Sequence, residues 1–171
     1  HFDEAGDLHI EDGNLQFAAG HGINFDAVEG SGATSTVLDD YEEGAWTATV
    51  NYNTTTGTAA TLSESGGSYT RIGRLVTVHA EIDVSNTNSG SGPVFVGGLP
   101  FTVQDIISPT GVEASGTIGF FSGFSSAVNS LKLFAENSTT SMIITCNTSG
   151  TQTASTNLEA SHMGTGEIRL T

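Results

Sequence analysis

From residue 76 to residue 84 apolar and polar side chains alternate without a break: Val76, Val78, Ala80, Ile82 and Val84 against Thr77, His79, Glu81 and Asp83. A period of two is the signature of a strand that buries one face and wets the other, and a helix cannot use it. Shorter versions of the pattern recur between Gly, Asn and Ser turns. They predict strands at 45–52, 59–63, 69–84, 93–97, 112–121, 130–136, 141–147, 156–160 and 167–171. Within 69–84, Gly73 is expected to bulge or bend the strand, because an interior glycine usually marks such a site. No helical run of useful length is present. Short strands at regular spacing predict an all-β chain whose main body is an antiparallel β-sandwich or jelly-roll-like head.

The first residues follow a different rhythm. Gly6, Gly13 and Gly22 each precede an apolar–polar–apolar triplet, carrying Leu8 and Ile10, Leu15 and Phe17, Ile23 and Phe25. Strands of about three to five residues are too short to stand alone. The economical partner for their apolar side chains is another copy of the same chain wound about a common axis, although an ordinary hairpin meander fits the pattern as well. The expected organisation is a β shaft and linker over 1–36, the linker being Glu29–Thr36, and a head over 37–171. With 171 residues the chain has room for one medium domain plus such an appendage. It opens in mid-pattern at His1-Phe2 and closes on a strand-like run, so it reads as the C-terminal part of something longer.

Four Lys plus Arg stand against nineteen Asp plus Glu, a net charge of −15. That balance argues against a nucleic-acid partner, whose phosphates need a basic surface, and against docking on an anionic membrane. No apolar run approaches the roughly 20 residues that span a bilayer. Cys146, the single cysteine, lies in the apolar run Met142–Asn147 and is expected to be a buried thiol.

Candidate chemistry is sparse. Asp39, Asp40, Glu42 and Glu43 form the one dense acidic cluster. It reads first as a solvated junction between shaft and head, next as a Ca²⁺ site, and last as a hydrolytic carboxylate pair. Hydrolysis requires two carboxyls that flank the scissile bond, which sequence neighbours do poorly. His9 and His21 could form inward rings in a multi-chain shaft, but no H-x-H pair exists and His9 should point away from the face that Leu8 and Ile10 bury. His79 should face solvent. Gly116–Phe124 is glycine-rich without the Lys and helix of a phosphate loop; its Phe120, Phe121 and Phe124 read as core aromatics ahead of a sugar-stacking platform. No nucleophile constellation is present. The chain is expected not to be an enzyme and to need no cofactor.

Three segments carry a resemblance. Gly13-Asn-Leu15 leads through Gly20-His-Gly-Ile-Asn-Phe25 to Leu38-Asp-Asp-Tyr-Glu-Glu-Gly-Ala-Trp46, followed by Gly67-Ser-Tyr-Thr-Arg-Ile-Gly-Arg74 and Gly97-Gly-Leu-Pro-Phe101. Over roughly residues 13–101 this resembles the C-terminal module of phage tail-fibre and other virion appendage proteins. Ala48 departs from it, standing where the family often has proline, so the first strand is free to start differently here.

The resemblance implies an intertwined homotrimeric shaft with Leu8, Ile10, Leu15, Phe17, Ile23 and Phe25 in its core. It implies a junction at Asp39, Asp40, Tyr41, Glu42, Glu43 and Trp46, and a place in the virion beside other virion proteins. The expected function is non-catalytic recognition of a host-surface glycan or protein. Alternatives are a purely structural assembly module and, behind it, a polysaccharide-depolymerising tailspike domain. Alternate loops of an antiparallel head share one end, so loops 53–58, 85–92, 122–129 and 148–155 should gather at a distal tip. That places Tyr52, Asn53, Asn86, Asn88, Phe124, Asn129, Asn147 and Gln152 as candidate glycan contacts, the rings to stack and the amides to donate and accept.

Overall fold

The computed structural model describes residues 12–18, 21–24, 37–38, 40–53, 58–105, 112–125, 128–148 and 156–171. The chain divides into two compact units, one of residues 1–42 with 71–75 and one of residues 43–70 with 76–171. The expected boundary after residue 36 differs from this division in two respects: residues 37–42 and the tip at 71–75 both group with the N-terminal residues.

In the first unit, β1 (Ile23–Asn24) pairs antiparallel with β2 (Val37–Leu38), Ile23 opposite Leu38 and Asn24 opposite Val37. Leu15 and Phe17 lie in a stretch, 12–18, that forms no strand. Leu8, Ile10 and Phe25 lie outside the described residues.

The second unit holds all but the tips of one large antiparallel sheet. Its strands are β3 (Tyr41–Trp46), β4 (Thr49–Tyr52), β5 (Thr61–Ile72), β6 (Leu75–Asn86), β7 (Val94–Gly97), β8 (Val112–Phe121), β9 (Val128–Glu136), β10 (Ser141–Thr148), β11 (Thr156–Asn157) and β12 (Gly166–Leu170). They run in the order β3–β5–β6–β12–β8–β9–β10–β7–β4, with β11 on β10. The protein is all-β, as expected, and its sheet is curled. β3 and β4 stand at opposite ends of that order, yet only Thr47 and Ala48 join them. A link of roughly 10 Å forces the ends of the sheet back toward each other. Ala60 N–H donates to Val50 O, and Tyr52 N–H donates to Thr58 O, so the approach to β5 covers the open edge of β4.

β8 turns the corner. Its first half pairs with β9, Ser115 opposite Phe134 and Thr117 opposite Lys132; its second half pairs with β12, Ile118 opposite Leu170 and Phe120 opposite Arg169. A strand that changes partner midway is how one sheet presents two facing layers. Between those layers lie Val50, Ile82, Val96, Ile144, Leu158 and Ile168, all fully buried. Cys146 lies with them as a buried free thiol, as its apolar setting predicts.

Three strand expectations change. The 69–84 run is a hairpin: β5 ends at Ile72, β6 begins at Leu75, and Gly73 takes φ +57°. A two-residue loop with positive φ at its first position suits the right-handed twist of a hairpin. The predicted 45–52 strand breaks at Thr47-Ala48, where Ala48 is buried and its carbonyl accepts from the Ser65 hydroxyl. The predicted 156–160 strand stops at Asn157 and gives way to a single 3₁₀ turn, Ala160–His162.

Candidate functional site

The acidic segment is organised by one ion pair. Arg71 Nη2 donates to Asp40 Oδ2 at 2.7 Å, and Arg71 Nε donates to Gly73 O at 2.9 Å. Gly73 N–H in turn donates to Asp40 O at 2.7 Å. Asp40 therefore latches the hairpin tip with both backbone and side chain. Glu42 and Glu43 follow each other on β3, so they point to opposite faces; Asp39 lies outside the described residues. Among the described residues no three His, Cys, Asp or Glu side chains gather as a metal site. Trp46, at the far end of β3, is a core residue whose indole N–H donates to His79 O at 3.0 Å.

The loop end is assembled through a segment the sequence did not single out, 158–163. Asn53 N–H donates to Pro93 O at 2.7 Å, Val94 N–H to Leu158 O at 2.8 Å, Ala160 N–H to Gly92 O at 2.9 Å and Ser125 N–H to His162 O at 2.9 Å. Loops after β4, β6 and β8 thus meet on one hydrogen-bonded rim. Asn53 sits there at φ +69°. Asn86 Oδ1 accepts from Asn88 N–H, and Asn88 Nδ2 donates to Ala59 O at 2.8 Å and Thr61 Oγ1 at 3.0 Å. Those amides hold the loop itself. Asn129 and Asn147 lie inside β9 and β10 rather than in loops, and Gln152 lies outside the described residues.

Tyr52 is a correction. It is only 1% exposed, its ring lies against Gly90, and burial pushes its phenol above the ordinary value of 10.0. As the last residue of β4 its side chain alternates with Asn51 and falls on the core face, so it cannot stack on a sugar. Phe124 is half-buried, edge-on to Phe121 with centroids 5.6 Å apart.

Phe120 runs the other way: read as core, it is 48% exposed. It stands opposite Arg169, which stands opposite Glu81, giving one cross-strand row over β8, β12 and β6. The guanidinium carbon lies 5.8 Å from the centre of the Phe120 ring. Arg169 Nη2 donates to Glu81 Oε1 at 2.9 Å, and Arg169 Nε donates to Glu167 Oε1. The Glu167 hydrogen bond, then the charges of Glu167 and Glu81, push the guanidinium further above its ordinary value. In the next row Thr171 Oγ1 and His79 Nδ1 share a hydrogen bond. The signal in the sequence was parity: Phe120 and Phe121 are adjacent on one strand, so only one of them can face the core.

In comparison with known proteins, no family model matches the chain, and no curated protein matches it.

Proposed function

We propose that this chain is the tip of a virion fibre of the phage tail-fibre kind, a homotrimer that recognises a host-surface glycan without catalysis. The observation that carries the reading is where apolar surface is left open. Leu15, Phe17, Ile23, Leu38, Tyr41, Ile72 and Leu75 are each 43–67% exposed, and all belong to the unit of residues 1–42 with 71–75. In the other unit Phe120 is the one large apolar side chain that is comparably open among the described residues. Soluble monomers rarely leave such a concentration of apolar surface uncovered. Charge favours a second copy as the cover. In a chain of net −15, Arg71 and Arg74 lie in the same unit as Asp40 and Glu42, so this surface carries both signs and can meet itself. Avidity from repeated sites would suit weak sugar binding.

The test is light scattering on the purified chain at micromolar concentration, beside a Phe17→Ser/Leu75→Ser double variant, with adsorption to host cells measured in parallel. The reading expects a trimer for the wild type and dissociation for the variant; a wild-type monomer overturns it. A structural module without a receptor is the second reading. It is favoured by the amides of Asn86 and Asn88, which hold their own loop. A trimer that adsorbs to no cell and binds no glycan selects it.

A further inference from the structure

We propose that the row Glu81–Arg169–Phe120, on the solvent face of β6, β12 and β8, is the saccharide-binding face, and that its ligand is a neutral, hydroxyl-rich sugar. This rests on the reading that the chain recognises a glycan, and it moves the contact from the loop rim to the open sheet. Stacking a pyranose needs an accessible ring on a firm support. Tyr52 is buried, Phe121 and Phe124 pack on each other, and Tyr69 and Phe101 form an edge-on pair 5.2 Å apart. Phe120 is the ring left open in its unit among the described residues, and it projects from β8 where β12 flanks it in register. Sites on paired strands hold their side chains more sharply than sites on loops.

The polar groups beside the ring fit sugar hydroxyls. Arg169 is steered by Glu81 and Glu167, so its remaining N–H donors are fixed in direction, and its stem keeps the cation against the ring. Glu81 is half-exposed and offers acceptors within the same row. Donors and acceptors side by side next to an aromatic face match vicinal hydroxyls over an apolar sugar face. Charge selects the class. Two carboxylates, Glu81 and Glu167, already engage Arg169 in a chain of net −15, so a sialylated or sulfated sugar meets repulsion that a neutral hexose does not.

The test is an array of neutral hexose and N-acetylhexosamine oligosaccharides printed beside sialylated and sulfated ones. It is probed with the wild-type chain, Phe120→Ala, Phe120→Trp and Arg169→Gln, each checked for an unchanged melting curve and oligomeric mass. Binding to neutral glycans, lost about tenfold or more in Phe120→Ala and kept in Phe120→Trp, supports the proposal. Neutral-glycan binding that Phe120→Ala leaves within about twofold overturns the site while the glycan reading stands. Preference for sialylated or sulfated glycans overturns the ligand class. A change of oligomeric mass in Phe120→Ala makes this face a contact between copies and overturns the site. No glycan bound by the wild type overturns both readings together.

Discussion

Asp40 and Arg71, 31 residues apart in the chain, meet at 2.7 Å, and the backbone of Asp40 accepts the Gly73 N–H of the same hairpin tip. The side chains are roughly half and one-third exposed, so solvent weakens their attraction. Asp40→Asn and Arg71→Gln should each cost about 0.5–1 kcal/mol, and the double variant little more than either single. Urea melts of the three variants check this. Adding a chelator to the wild type should leave the melting temperature unchanged; a clear drop would return the acidic segment to a cation.

Tyr52→Phe should be neutral or stabilising by up to about 1 kcal/mol, because the buried Tyr52 hydroxyl has no hydrogen-bond partner among the described residues. A phenol raised above 10.0 by burial adds stability that is complete below that pH and is lost as pH climbs past it. Melting temperatures followed from about pH 9 to about pH 11 should therefore fall more steeply for the wild type than for Tyr52→Phe. Adsorption to host cells should be the same for both.

Gly67→Ala should be among the most damaging single-methyl changes. A Cβ there would collide with the Trp46 indole and with His79 O, the two partners of one hydrogen bond. A loss of about 2–4 kcal/mol is expected. Trp46 is the only tryptophan, so its fluorescence reports the displaced ring directly.

Ser89→Gly should stabilise the protein by about 0.5–1 kcal/mol. Asn88 and Ser89 take φ of +50° and +53° in a turn closed by Gly90 N–H to Thr87 O. Both central residues of such a turn need positive φ, and Asn-Gly is the pair that supplies it most easily. Ser89→Val should lose about 1 kcal/mol or more. Thermal melts of the two variants, moving in opposite directions, check the strain.

The alternation of β6 was readable because Ala80, Ile82 and Val84 repeat on one face, and that face is buried. β5 was mostly invisible. Its Ser63–Ser68 stretch has no apolar face to read, and the strand exists because β3 and β6 offer hydrogen bonds on both sides. At Gly73 the sequence showed that the chain must deviate, while choosing between bulge and turn required knowing that β5 lay upstream to pair with. Tyr52 illustrates a limit of loop reasoning: a residue assigned by its distance from a turn faces inward once the strand's parity is fixed. Phe120 is the same lesson in reverse, since hydrophobicity alone could not say which of two adjacent rings the core would take.

The place of β12 has a consequence for how the chain is made. Residues 166–170 fill the slot between β6 and β8, and Arg169 meets a partner 88 positions earlier. Until that segment has been synthesised, the facing edges of β6 and β8 have no strand between them, and the curled sheet is held open. Contacts at such separation form slowly, and bare strand edges invite pairing with neighbouring nascent chains. Where many copies are produced at once, the interval before β12 inserts is when correct assembly and aggregation compete.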